Sequence, residues 1–156
     1  MKAFLISPNH QTQGADLTVV EVEQNADGDA RLKHVRALLD CEYVQMFEPL
    51  PGTCLAGHIL VVDEDGLSKR PAGFLFMPKI YPTPLAGKIL VFARCDTADG
   101  EIMASATALE ADIRALISCA YCSPAFAKAA MKLHEDSIRR NFPDVIVAPG
   151  SQSIQP

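Results

Sequence analysis

With 156 residues, 49% of them hydrophobic and 21% charged, the chain can bury most of one domain's surface and is too apolar to remain disordered. Its formal charge of −5, without any cluster of Lys and Arg, offers phosphates no basic stripe, so no nucleic-acid partner is expected; the same charge is too small and dispersed for a convincing acidic decoy. No stretch approaches the roughly 18 apolar residues of a membrane span, and the first apolar run is too short for a signal peptide, so a cytoplasmic protein with no membrane partner is expected.

In chain order, Lys2 to Ile6 reads as a strand stopped by Ser7, Pro8 and Asn9, and Leu17 to Glu23 as a second, β-branched one. Asn25 to Asp29 is turn chemistry, with Asp29 a candidate cap for a helix over 30–40 in which Leu32, Val35, Leu38 and Leu39 recur at helical spacing. Tyr43 to Phe47 alternates as a strand until Pro49 and Pro51 end it.

An internal echo follows. Leu55-Ala-Gly-His-Ile-Leu-Val-Val62 returns thirty residues on as Leu85-Ala-Gly-Lys-Ile-Leu-Val-Phe92, six identities in eight, each copy leading into an acidic, glycine-ended turn. Two copies are too few for a solenoid, so they predict two similarly placed core strands with equivalent bends at Gly57 and Gly87. Pro78, Pro82 and Pro84 sit in the connection before the second copy, where missing N–H groups harm no ladder. Tyr81, Pro82 and Pro84 read first as a turn and, in the alternative, as an exposed recognition surface.

A short strand is expected near Glu101 to Ala104. Thr107-Ala-Leu-Glu110 has the form of a capping box, followed by Leu109, Ile113, Leu116, Ile117 and Ala120 on one helical face. Ser123-Pro124 starts a last helix to about Arg140, and Val145 to Val147 reads as an edge strand. The fold expected is therefore α+β: a single domain over residues 1–150, with a mostly antiparallel sheet of about five to seven short strands covered on one face by about three helices, and a flexible tail over 151–156.

Chemistry is sparse. Five cysteines without an export signal are expected to be reduced. Cys119-Ala-Tyr-Cys122 is the one short motif with a chemical use, a redox pair or half a zinc site; zinc needs two further ligands, for which Cys54, Cys95 and His134 are the candidates. The bland reading, that both thiols pack at a helix end, is the expected one. Asp63, Glu64 and Asp65, like Asp96, Asp99 and Glu101, lack the ligand series of a calcium loop and read as solvated turns. The four histidines are scattered, and no serine elbow, phosphate loop or dinucleotide fingerprint is present. Catalytic residues are therefore unassigned and no cofactor is expected.

From about Val35 through Gly100 the chain resembles a family of small bacterial and phage proteins classified as a domain of unknown function. The match rests on Asp40-Cys-Glu-Tyr-Val44 after a helix, on Leu60-Val-Val-Asp-Glu-Asp-Gly-Leu67 with Lys69 and Pro71, and on Pro84-Leu-Ala-Gly-Lys-Ile-Leu-Val91. Ala72-Gly-Phe74 stands where such proteins commonly carry an asparagine. The resemblance implies an accessory, mobile-element role and assigns no activity. The reading that follows is a non-enzymatic, protein-binding or modulator protein with an unidentified protein partner; the alternative is a thiol-redox or zinc protein using Cys119 and Cys122.

Overall fold

In the computed structural model, which describes residues 1–23, 28–69, 71, 73–97 and 100–141, the chain opens with a hairpin of β1 (Lys2–Asn9) and β2 (Gly14–Glu21). The first strand runs through Pro8 instead of stopping there. Pairing of β1 with its inner neighbour ends at Ile6↔Ile89, so the N–H that Pro8 lacks has no ladder partner to lose.

The remaining elements are α1 (Gly28–Leu39), β3 (Val44–Phe47), β4 (His58–Asp63), β5 (Phe74–Leu75), β6 (Leu85–Ala86), β7 (Ile89–Thr97), β8 (Gly100–Ala104), α2 (Glu110–Ile117), β9 (Tyr121–Cys122) and α3 (Pro124–Asn141). They build an antiparallel α+β fold with a six-stranded sheet of order β2-β1-β7-β4-β3, β8 joining β7, and a three-stranded sheet β6-β5-β9. Both β1 and β8 must lie on the edge of β7 opposite β4, because β4 occupies Ile89 to Ala93 while β1 takes Ile89 to Val91 and β8 starts at Ala93. The expected strand at 145–147, the tail at 151–156 and most of the turn at 25–29 lie outside the described residues.

The repeated segments are the two central strands, and they pair with each other: Ile59↔Phe92, Leu60↔Val91, Val61↔Leu90 and Val62↔Ile89. All eight of these residues are buried. Gly57 and Gly87 bend the chain equivalently, at φ +75° and +72°, a conformation glycine adopts without the steric penalty of a Cβ.

Because successive side chains of a strand point to opposite faces, an unbroken apolar run must be covered on both. Ile59, Val61, Leu90 and Phe92 pack with Val35 and Leu39 of α1, whereas Leu60, Val62, Ile89 and Val91 pack with Ile113 and Ile117 of α2 and with Leu75 and Leu85 of the small sheet. The helices expected together on one face are thus divided between the two. The other side of the small sheet, Phe74, Ala86 and Cys122, receives Ala127 of α3. The order of layers is α1, large sheet, α2 with the small sheet, and α3.

The start of α2 also departs from expectation. Its N-cap is Leu109, with extended backbone and no side-chain capping bond, so Thr107 is not the cap. The backbone N–H groups of Thr107 and Ala108 instead donate to Nε2 of buried His58, at 3.3 and 3.2 Å. Nδ1 of the same ring lies 3.2 Å from the Ala56 carbonyl, which can only accept. His58, accepting at Nε2 and facing an acceptor with Nδ1, ties the start of β4 to the lead into α2.

Candidate functional site

Where the small sheet meets α3, an open cleft of about 280 Å³ is lined by Phe76, Cys119, Tyr121, Cys122, Ser123 and Phe126, slightly below the roughly 300–1,000 Å³ typical of ligand pockets. Local chemistry explains the placement of each wall. Ser123 caps α3: its Oγ accepts the Phe126 N–H at 3.3 Å and its carbonyl accepts the Ala127 N–H at 2.9 Å, with Pro124 at the first helical position as expected. That cap brings the Phe126 ring over Phe76, with centroids 5.5 Å apart and planes tilted 57°, a favourable tilted arrangement of two aromatic quadrupoles. Phe76 is held in turn by a 2.6 Å bond from its N–H to the Ala120 carbonyl.

Tyr121 contributes to the cleft from β9, while its side chain, in register with Leu75, is directed to the opposite face of the small sheet from Cys122. Its hydroxyl lies 2.8 Å from Nδ1 of His10, in the β1–β2 turn, which links the hairpin to the cleft across the sequence. The ring packs so close to Gly73 that a Cβ there would lie 2.8 Å from Cε2 of Tyr121 and 2.9 Å from Cβ of Pro8; the small residue permits this approach.

The two cysteines of the CxxC motif both reach the cleft, but in different environments. Cys119 is exposed and Cys122 is buried. Burial pushes the Cys122 thiol up to about 11 from its ordinary 9.0, so Cys122 itself is a poor nucleophile. An amphipathic helix and a two-residue strand surround the motif, with Cys122 paired to Phe74. Among the described residues, no group of three or more His, Cys, Asp or Glu side chains is placed to hold a metal ion, so Cys54, Cys95 and His134 are not gathered around the pair. Burial, followed by the nearby Asp63 for Cys41 and Asp112 for Cys54, raises those two thiols as well.

The acidic turn at 63–65 is tied internally. Asp63 accepts the Asp65 N–H at 3.0 Å and takes Nζ of Lys69 on both carboxylate oxygens, at 3.1 and 2.8 Å; its hydrogen bond is the main cause raising Lys69 above the ordinary lysine value. The carboxylate that would lead a cation site there is already serving a turn and a lysine.

The proline segment lies elsewhere. Tyr81 is half-buried with its ring 4.3 Å from that of Phe47, Pro82 is exposed, and Pro84 is buried. Met77 O accepts both the Ile80 and Tyr81 N–H groups, at 2.7 and 2.9 Å, which makes the segment a hydrogen-bonded turn. None of these residues lines the cleft.

Four cleft residues were not legible in the sequence: Phe76, Tyr121, Ser123 as a wall and Phe126. The available sign was in α3, where Ala127, Met131, His134 and Ile138 make one stripe at helical spacing and Phe126 and Leu133, seven apart, make a second on an adjacent face. The first stripe is buried or half-buried, while Phe126 is 50% and Leu133 67% exposed. No family model matches the chain, and no curated protein or solved structure matches it.

Proposed function

We propose that the protein is a non-enzymatic binding module that seats an apolar side chain of a protein partner in the cleft between β9 and α3, with the exposed face of α3 extending the contact. The observation that carries this reading is the second apolar stripe of α3: Phe126 stands exposed in the wall of an aromatic-lined cleft and Leu133, seven residues along the helix, is exposed as well, although the same helix already has a packed face. Large exposed apolar residues grouped beside a concavity are what interfaces use, and a deep aromatic anchor supplies most of their energy. Tyr81, Pro82 and Pro84 lie outside this surface and serve the fold in this reading. An accessory role on a phage or plasmid rests on the resemblance of residues 35–100. Thiol or zinc chemistry at Cys119 and Cys122 is the second reading, with the exposed Cys119 as its reactive thiol.

The test uses Cys119 as a reporter. Partner capture from bacterial lysate by the whole chain is compared with capture by Phe126→Asp, and alkylation of Cys119 is followed by mass spectrometry with and without the captured protein. The expected result is one stoichiometric partner, lost in Phe126→Asp, that shields Cys119. A partner retained by the variant, or one that leaves Cys119 equally reactive, overturns the assignment of the cleft.

A further inference from the structure

The two outer edges of the large sheet are finished differently. One is β3, a four-residue strand closed off by Pro49. The other is β2, eight residues long, Gly-Ala-Asp-Leu-Thr-Val-Val-Glu, with no lysine, no proline and an unbroken register against β1 from Lys2↔Glu21 to Asn9↔Gly14. Sheets blunt their edges with short strands, charged side chains (above all lysines), prolines or bulges; β2 carries Asp16 and Glu21 but no lysine, proline or bulge.

The hydrogen-bonding direction of β2 follows from its end. Met1 and Val22 exchange both backbone bonds, at 2.8 and 2.7 Å, and in an antiparallel ladder such pairs alternate along the strands. The inward-bonding residues are therefore Val20, Thr18, Asp16 and Gly14. The backbone N–H and C=O groups of Ala15, Leu17, Val19 and Glu21 point out of the sheet, where among the described residues no strand pairs with them. Val19 also presents a side chain 43% exposed.

We infer that β2 pairs antiparallel with β2 of a second copy of this chain, across a two-fold axis at Thr18, joining two large sheets into one. The occupant is set by self-complementarity. In this register, Leu17 of one copy faces Val19 of the other, covering the exposed valine, and the two Thr18 side chains meet each other, a favourable cross-strand pair. Asp16 faces Val20 and Glu21 faces Ala15, so no carboxylate opposes another, which a chain of charge −5 requires of a contact with its own copy. Glu21 is further held at its own chain's N-terminal nitrogen, 3.4 Å away. The outward bonding groups pair as Leu17 with Val19 and Ala15 with Glu21, and the closed two-fold consumes both edges without leaving a new one.

The test is the mass in solution, by light scattering on a sizing column at tens of micromolar, for the whole chain and two variants. Val19→Pro removes an outward N–H and no bond to β1, as edge strands tolerate, and Val19→Lys places a charge on the axis-proximal contact without touching the backbone. The expected results are a particle of twice 16.9 kDa for the unmodified chain and 16.9 kDa for both variants, with far-ultraviolet circular dichroism unchanged for Val19→Lys even where Val19→Pro perturbs the fold. An unmodified chain that is monomeric overturns the inference, and if the amides of Ala15, Leu17, Val19 and Glu21 are then protected from hydrogen exchange, another segment of the chain covers the edge. A Val19→Lys protein that remains dimeric overturns it as well, placing the interface elsewhere.

Discussion

Cys122 shows how a single atom's surroundings decide its chemistry. Its sequence context, three residues after another cysteine and just before a helix, is compatible with a reactive thiol, yet burial against Phe74 and Ala127 favours the uncharged form. The pH consequence has a definite sign. Above about 9 the unfolded chain begins to release this proton, while the folded chain retains it up to about 11; the folded state then binds more protons, and stability falls as pH rises through that window. Urea unfolding below pH 9 and near pH 11 should show this loss, and Cys122→Ala should lose less over the same interval than the unmodified chain. An equal loss in both would mean that the alkaline sensitivity belongs to other groups.

At the scale of elements, α2 is positioned by a neighbour and not by its own cap. Thr107 and Glu110 have the spacing of a capping box, but the N–H groups beside them are taken by His58, so the helix starts later, at Glu110. Thr107→Ala should accordingly stay within about 0.5 kcal/mol, as ordinary surface changes do, below the ~1 kcal/mol lost with a true cap. His58→Ala removes a buried ring and leaves two backbone donors without their acceptor, and should cost on the order of 2–4 kcal/mol. Denaturant midpoints of the two variants decide the matter; a larger loss for Thr107→Ala would mean that its hydroxyl, 3.4 Å from Nε2 of His58, contributes to holding the lead into α2. The histidine was visible in the sequence only as the first residue of an apolar strand, His-Ile-Leu-Val-Val, and the two backbone donors it accepts lie some fifty positions away, beyond any local pattern.

For the molecule as a whole, the large sheet separates two apolar layers, one under α1 and one under α2 and the small sheet. Val35→Ala and Ile113→Val act in different layers, so their costs should add within about 0.3–0.5 kcal/mol, as for sites without shared partners. Circular dichroism and fluorescence of an introduced probe should report one common urea transition in the double variant; a marked departure from additivity would show that the sheet transmits strain between its faces. How far the sequence determined this architecture depends on the range of the interactions involved. Local and periodic features were legible: the α+β class, the two Leu-Ala-Gly strands with their glycine bends, and the Ser123-Pro124 start of α3, because each is set by side chains within a few residues of one another. The tertiary structure alone decided which helix covers which face of the central strands, that Thr107 is not the cap of α2, and that Phe76, Tyr121 and Phe126 converge with the two cysteines. These depend on contacts between residues distant in the chain, whose geometry is set by the sheet register and by which buried backbone groups find partners first.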